Sequence, residues 1–445
     1  MSTGAPARVL TLFDCVAIVV GIVIGASIFR LPSIVAGQVG DDGLILLVWL
    51  LGGAISFIGA LCYAELATAF PSTGGEYHFL SRAFGPRVGF MFTWARMSVI
   101  QTGSIAFLAY VFGDYAGQLV PLGTYSASLY AVAAVAGFTW LNIVGVHQTR
   151  AVQKGLTLIT VLGLVLVVVL GVAHIAQFGA PVPSVSSTSG EFSSAVMGSA
   201  LIFVLLTYGG WNEAAYVSAE MRGPPRVMVR ALLLGIGIIT VIYVAVNFVY
   251  LKVLGTAAVA ASDAVAVDLL ETLVGPAGGK VVAALVLVLV SASLNVTIIT
   301  GARTNYALGR DVPMFAFLGT WSAKGGAPVR ALLFQGAIAL GLVLLGTLNR
   351  SGVATIVDYL APVFWVFFFL TGVSLFVLRW KEPNTPRPFR VPFYPLTPVL
   401  FCLTCAYLMY SSLAYTGYGA LAGVAVLAAG LPFMLLARRG RTPKK

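Results

Sequence analysis

The sequence predicts an all-α membrane protein with twelve transmembrane helices, and three observations carry this prediction. Hydrophobic residues occupy 59% of the 445 positions and charged residues only 9%, whereas a soluble domain carries about 25% charged residues. The mean hydropathy is +0.97. Apolar segments recur along the whole chain, each close to or above the ~20 residues that a helix needs to cross a bilayer.

The predicted spans alternate with short polar loops. In chain order they are 9–36, 43–70, 88–117, 125–145, 155–178, 195–219, 227–254, 278–300, 328–349, 353–378, 395–415 and 417–436. We expect the basic, partly amphipathic segment 302–327 to be an inner loop. We also expect a short interfacial helix between spans two and three, ending at Phe84.

The basic residues predict the orientation of these spans. With the N-terminus inside, most of the 26 Lys and Arg residues fall in inner loops or at the termini, and the outer loop 180–191 has none. The positive-inside rule therefore places both termini on the cytoplasmic side of the cell (inner) membrane. The net charge of +11 follows from this topology and from anionic headgroups, not from a nucleic-acid partner.

The order of spans predicts two related halves. A cytoplasmic N-terminus (1–8) precedes spans one to five (9–178), and spans six to ten follow (195–378). A proline-rich linker with spans eleven and twelve (379–436) and a cytoplasmic C-terminus (437–445) complete the chain. Because five is odd, the second half crosses the membrane in the opposite sense to the first.

The first span contains Gly25-Ala26-Ser27 near its middle. Glycine costs about 1 kcal/mol relative to alanine in a helix interior. Within a membrane, unwound backbone is tolerated only where it lines a cavity or is buried in protein. We predict a broken helix whose free backbone groups face a ligand; a small-residue face for close helix packing is the alternative.

The sixth span contains Gly209-Gly210 between aromatic and polar residues, with Glu213 just beyond. A carboxylate is costly in lipid and must face the bundle interior, water or a partner. If a half-helix restarts near Gly210, Glu213 lies in its first turn, where the helix dipole favours a carboxylate. Glu213 either couples a proton or only caps that half-helix.

The two breaks occupy matching positions in inverted halves, which is the pattern of a midplane transport site. One half-helix presents free N–H groups there and the other presents free carbonyls. Donors beside acceptors suit a zwitterion, with its carboxylate on the N–H groups and its ammonium on the carbonyls. The pattern therefore favours a transporter.

Other chemistry has less support in the sequence. Thr160 in span five is a candidate ion ligand, and the alternative is that its hydroxyl only bonds its own helix backbone. Ser291 and Ser293 belong to a polar stripe in span eight. The three histidines lie near span ends and form neither a metal-ligand pattern nor a nucleophile–base pair. We expect no metal site and no enzymatic activity.

Four runs carry a family resemblance: Gly21–Phe29, Gly59–Leu66, Gly74–Tyr77, and Tyr208 through Glu220. Together they resemble the amino acid–polyamine–organocation superfamily, from span one to span twelve. Within it, the chain is most similar to the L-type amino acid transporters and their prokaryotic relatives.

The resemblance implies the leucine-transporter-type fold, a 5+5 inverted repeat with helices 1 and 6 broken, plus two C-terminal helices. It implies a secondary active transporter, symporter or exchanger, of neutral L-amino acids by alternating access. A cationic amino acid or polyamine is the alternative substrate. The expected substrate-binding residues are Val23, Ile24, Gly25, Ala26, Ser27, Ile28, Leu206, Thr207, Tyr208, Gly209 and Gly210.

The chain departs from this family in ways that leave the coupling ion open. Many relatives have a lysine in span five where this chain has Thr160, and L-type members have an aromatic lid where this chain has Leu206. Coupling is by exchange, by a proton at Glu213, or by sodium at Thr160, Ser291 or Ser293, since hydroxyl and carbonyl oxygens suit a hard cation. We expect no other cofactor and no obligate protein partner beyond the substrate and the lipid bilayer.

Overall fold

A computed structural model gives the structure of most of the chain. It describes residues 12–72, 74–144, 150–179, 193–213, 226–322, 327–348, 352–414 and 418–437. Within these ranges the regular structure is helical, apart from one isolated bridge between Ser322 and Ala327. The predicted N-terminus, the outer loop 180–191, Glu220 and the C-terminal tail beyond residue 437 lie outside the described residues.

The described helices follow the predicted spans closely. In chain order they are α1 (Leu12–Val23), α2 (Ser27–Val39), α3 (Asp42–Ala69), α4 (Gly75–Phe84), α5 (Pro86–Ala95), α6 (Gln101–Leu119), α7 (Ser126–Val144), α8 (Arg150–Phe178), α9 (Ser194–Thr207), α10 (Arg226–Leu254), α11 (Thr256–Ala261), α12 (Val265–Val274), α13 (Pro276–Asp311), α14 (Val329–Leu348), α15 (Gly352–Lys381), α16 (Leu396–Ala414), α17 (Tyr418–Ala428) and α18 (Gly430–Ala437). A π-helical turn, Arg96–Ile100, joins α5 to α6.

Ten helical segments of the described chain are long and apolar enough to cross a membrane. The first and sixth predicted spans are not among them, because each is interrupted. The first is divided into α1 and α2, and the sixth ends as a regular helix at Thr207. A helix that ends at Phe84, as predicted, is present as α4; its location at the membrane interface stays a prediction.

The prediction of a loop over 302–327 is wrong for its first third. Helix α13 continues to Asp311, because this segment is amphipathic with a helical period. Ala302, Asn305 and Leu308 are buried, whereas Arg303 is exposed between them. The apolar run ends near residue 300, but the helix does not.

Contacts group the chain into two compact units. The first comprises residues 1–89, 160–260 and 365–408, and the second comprises 90–159, 261–364 and 409–445. Both helix interruptions lie in the first unit.

In the first unit, α3 presents small residues to its neighbours. A Cβ atom at Gly52 would collide with the Val204 side chain of α9, and one at Gly59 would lie 2.8 Å from the Trp211 ring. Small residues let membrane helices approach closely. The glycines of α3 therefore determine how closely the segment of the sixth span packs against α3.

A buried carboxylate fixes the far end of α3. Glu65 is 1% exposed and accepts hydrogen bonds from Arg379 Nε at 2.8 Å and Nη2 at 2.5 Å. The Val391 N–H also donates to it, at 2.7 Å, and the Arg387 guanidinium lies 3.4 Å away. The carboxylate therefore joins α3 to the end of α15 and to the segment that follows.

Helix α4 is tied to the same region by a more exposed ion pair. Arg82 donates through Nε and Nη2 to the Glu382 carboxylate, both at 2.7 Å. The Arg82 guanidinium lowers the pKa of Glu382. Because both side chains reach solvent, this pair contributes at most about 1 kcal/mol.

The second unit contains uncharged polar bridges between its helices. Asn142 of α7 donates to Asn295 Oδ1 of α13 at 2.6 Å. Gln335 of α14 donates to the Ile298 carbonyl at 2.6 Å. Such amide bonds orient apolar helices without a charge to desolvate.

Gly52→Ala tests the close approach of α3. Overpacking of this kind costs about 1–3 kcal/mol, so we expect a lower thermal unfolding midpoint in detergent. Gly237→Ala in α10 is the matched control, because a Cβ there meets nothing within 4 Å; it should leave the midpoint unchanged or raise it. An unchanged midpoint for Gly52→Ala would contradict the packing described.

Glu65→Gln tests the buried ion pair. Removing one charged partner from a buried pair costs about 3–5 kcal/mol, because the other charge stays uncompensated. Glu382→Gln, in the exposed pair, should cost no more than about 1 kcal/mol. Thermal unfolding of both variants in one detergent gives the comparison, and equal shifts would contradict the difference in burial.

Candidate functional site

The break in the first span is short and leaves a helix start without a side-chain cap. Helix α1 ends at Val23, and the Gly25 N–H turns back to donate to the Val23 carbonyl at 2.8 Å. Helix α2 begins at Ser27, with Ala26 before it and no capping side chain. The first N–H groups of a helix have no acceptor within it. The start of α2 therefore offers backbone donors and a positive dipole end.

The break in the sixth span is a glycine turn. The Gly209 N–H donates to the Leu206 carbonyl at 3.1 Å, and a Cβ at Gly209 would lie 2.9 Å from that oxygen. Gly210 has φ +109°, a region that L-residues avoid. One short 3₁₀ turn that includes Glu213 follows at 211–213. The residues over which the predicted half-helix would continue, 214–225, lie outside the described residues.

A buried tyrosine of α10 joins the two breaks. The Tyr243 hydroxyl lies 2.9 Å from the Val23 carbonyl and 3.2 Å from the Thr207 carbonyl. These carbonyls belong to the last residues of α1 and α9. The Tyr243 ring packs edge-on against Trp49 and Tyr208, and the Tyr208 hydroxyl donates to the Trp49 carbonyl at 3.0 Å.

A second buried carboxylate holds the chain just after the glycine turn. Glu76 of α4 is 3% exposed and accepts from the Tyr63 hydroxyl at 2.6 Å and from Asn212 Nδ2 at 3.2 Å. The Trp211 ring packs edge-on against Tyr63 and Phe368. The break is therefore bounded by an α10 tyrosine before it and by an α4 glutamate after it.

The predicted binding residues fall into a buried set and an accessible set. Those that are buried are Val23, Ile24, Ala26, Ile28, Thr207 and Tyr208. Those that stay partly exposed are Gly25, Ser27, Leu206, Gly209 and Gly210. The Tyr208 side chain points into packing with α3, so this position contributes to the turn through its backbone.

The predicted coupling residues are spread over the chain. Thr160 is buried in α8 and belongs to the first unit, whereas Ser291 and Ser293 lie on α13 in the second. The Ser291 hydroxyl donates to the Leu287 carbonyl at 2.6 Å. Glu213 is partly exposed, and its N–H donates to the Gly210 carbonyl at 3.0 Å. A cation site formed by these hydroxyls stays a prediction.

Sequence reasoning missed Tyr243 and assigned no role to Glu76. Tyr243 is one of two tyrosines in α10, with Tyr250, and a buried phenol usually has a hydrogen-bond partner. That signal neither singles out Tyr243 nor identifies its partner. Glu76 directly follows Gly74-Gly75 in a weakly apolar segment. Its hydrogen-bond partners are Tyr63, 13 positions before it, and Asn212, 136 positions after it, and no local pattern predicts either contact.

Comparison with known proteins supports what the sequence and geometry indicate. A family model described as amino acid permease matches residues 10–431. The b(0,+)-type amino acid transporter 1 of Mus musculus is 29% identical over 408 residues, which cover 91% of this chain and 82% of that protein.

The large neutral amino acids transporter small subunit 2 of Rattus norvegicus is 31% identical over 430 residues, covering 94% of this chain and 78% of that protein. The Homo sapiens protein of the same name is 30% identical over the same length. The family model includes both interrupted helices, and together with the relatives it confirms the predicted membership of the amino acid–polyamine–organocation superfamily. The chain is a multi-pass membrane protein and belongs to the amino acid permease family.

Proposed function

We propose that this protein is a secondary active transporter of neutral L-amino acids that works by alternating access. The observation that carries the proposal is the pair of interrupted helices whose ends meet at one tyrosine hydroxyl. The start of α2 offers uncapped N–H groups for a carboxylate. The end of α9 and its glycine turn offer carbonyls for an ammonium.

Some backbone carbonyls at the two breaks already accept hydrogen bonds within the protein, which limits the carbonyls that can bind the substrate ammonium. The Val23 carbonyl already accepts from the Gly25 N–H and from Tyr243, and the Leu206 carbonyl accepts from Gly209. A substrate ammonium therefore uses the remaining carbonyls of the two turns. The carboxylate binds at the first N–H groups of α2, beside Ser27.

The proposed neutral class follows from the charges of the binding residues. None of the positions from Val23 to Ile28 or from Leu206 to Gly210 is acidic, so a second positive charge on the substrate has no counterion among them. Glu76 already accepts from Tyr63 and Asn212. The names of the rat and human relatives, which specify large neutral amino acids, support the same class. A cationic amino acid or polyamine remains the rival substrate.

The remaining assignments extend the same proposal. The twelve spans form a 5+5 inverted repeat with two further helices, and both termini face the cytoplasm of the cell membrane. Transport is coupled to exchange, to a proton at Glu213, or to sodium at Thr160, Ser291 or Ser293. The rat relative is named a small subunit, which implies a larger assembly for that protein; we propose that this chain transports without a partner.

Uptake into liposomes tests the proposal directly. The purified single chain, reconstituted alone, should take up labelled L-leucine with saturation, and unlabelled neutral amino acids should compete while L-lysine and putrescine should not. Competition by lysine or putrescine alone would favour the rival class. Folded protein without saturable uptake or exchange would refute transport by the single chain, and a stoichiometric second chain that co-purifies and restores uptake would assign the missing partner.

Gly210→Ala connects uptake to the glycine turn. A Cβ in the left-handed region costs about 1–2 kcal/mol, so the turn should distort and uptake should fall roughly tenfold. Gly237→Ala, in a roomy part of α10, should transport like the parent. Equal uptake by both variants would show that the glycine turn is not part of the substrate site.

Gradients across the liposome membrane identify the coupling ion. If sodium binds at Thr160, Thr160→Lys should abolish sodium dependence, because the ammonium replaces the cation, and Thr160→Ser should retain it. If a proton is carried by Glu213, Glu213→Gln should remove the response to a pH gradient. An unchanged response in either variant removes that residue from coupling. A parent chain that responds to neither a sodium nor a pH gradient leaves exchange as the mode of transport.

A further inference from the structure

We propose that segment 388–396, the anchor segment, binds an anionic phospholipid. In this site Arg390 holds the phosphate of the headgroup, and the Phe393 ring inserts among the acyl chains. The inference goes beyond the proposed function, because the ligand is a lipid of the surrounding membrane and not a transported substrate. Its test needs no transport measurement.

The anchor segment belongs to a short connection between two membrane helices. Helix α15 ends at Lys381 and α16 begins at Leu396, and both are long and apolar enough to cross a membrane. Because only residues 382–395 lie between them, the connection stays close to the membrane surface. In the proposed orientation this surface belongs to the cytoplasmic leaflet, whose anionic lipids attract basic segments.

Arg390 is exposed and has no partner among the described residues, unlike the basic side chains that precede it. Arg379 and Arg387 both turn inward to the Glu65 carboxylate. Lys381 donates to a backbone carbonyl of α4 at 2.9 Å. A guanidinium presents a fork of donors that matches a phosphate. Arg390 therefore binds a headgroup without giving up a bond inside the protein.

The backbone of the anchor segment turns so that Phe393 points away from the protein. Val391 before it is buried, and the Tyr394 ring after it packs against the Arg379 guanidinium, 3.8 Å from the ring centroid. Phe393 itself is 82% exposed and has φ +52°, a region that bulky residues avoid. An aromatic ring that is both exposed and held in strained backbone indicates a contact outside the protein.

The apolar surface of α16 identifies lipid as that contact. Leu396, Leu400 and Leu403 are exposed on one face of the helix, where acyl chains cover a membrane-spanning segment. Phe393 lies three residues before this stripe, and Trp380 is exposed at the end of α15. Aromatic rings of this kind anchor proteins at the membrane–water interface. The ring therefore extends a lipid-covered face to the level of the headgroups.

Native mass spectrometry of the purified chain measures lipid binding directly. With phosphatidylglycerol titrated into the detergent-solubilised chain, Arg390→Gln should weaken binding about fivefold, whereas binding of phosphatidylcholine should change less than about twofold. Arg303→Gln removes the same charge from an exposed position of α13 and should bind like the parent. Equal weakening by both variants would assign the effect to net charge and overturn the proposal, as would unchanged binding in Arg390→Gln.

Phe393→Asn separates lipid contact from internal packing. Asparagine tolerates left-handed backbone, so the thermal unfolding midpoint in detergent should stay the same or rise. Binding of both phosphatidylglycerol and phosphatidylcholine should weaken roughly threefold, because part of the apolar contact is lost. A lower midpoint with unchanged lipid binding would overturn the proposal by assigning the ring to the stability of the fold.

The depth of residue 393 in a bilayer provides an independent readout. The four native cysteines are buried, so a spin label can be attached at Phe393→Cys, with Asn384→Cys as the exposed control in the same connection. In nanodiscs, oxygen dissolved in the bilayer should relax the first label, and a water-soluble nickel complex should relax the second.

Two results of the depth measurement would contradict the lipid site. Relaxation of the Phe393→Cys label by nickel, to the same extent as the control, would place the ring in water. Shielding of that label from both reagents would assign the surface to a second copy or another protein. If the chain binds lipid as expected but transports nothing, the proposed function fails while the lipid site stands.

Discussion

Backbone hydrogen bonding in a dry environment is the constraint on which the rest of this structure depends. An N–H or carbonyl left unpaired in hydrocarbon costs several kcal/mol, so a helix cannot simply stop halfway across a membrane. This chain stops twice, after Val23 and after Thr207. At both places the last carbonyl accepts from Tyr243, and the residues beyond form tight turns. The groups left over, at the start of α2 and in the glycine turn, are those available to a ligand.

The frame around the breaks is built from small residues and aromatic rings. The Gly52 position of α3 brings α9 close enough for Tyr208 to reach the Trp49 carbonyl. Trp49 and Tyr208 together hold the Tyr243 ring. Close helix approach is thus what places the hydroxyl, and the hydroxyl is what completes the helix ends. Packing and polar chemistry depend on each other here and are not separate contributions.

Most of the fold was predictable from sequence, because each span is decided by a local run of apolar residues. The breaks were predictable for the same reason: Gly25 and Gly209-Gly210 are local signals. The hydrogen bonds between residues far apart in the sequence could not be predicted. Neither Glu65 with Arg379 nor Tyr243 with Val23 has a spacing that predicts it, since each joins residues more than 200 positions apart. The extension of α13 was missed because hydropathy fell while helical periodicity continued through Leu308.

The glycine turn of the sixth span is held at both ends by different parts of the first unit. Before the turn, Thr207 is bound to Tyr243 of α10; after it, Asn212 donates to Glu76 of α4, which also binds Tyr63. A displacement of the turn must therefore strain one of these bonds or move α4 with it. If the turn binds the proposed substrate, binding there changes the free energy of the contacts with α4 and α10. A ligand that binds locally can shift the equilibrium between two conformations only if its interaction free energy differs between them. The two anchors supply that difference without any charged group in the turn itself.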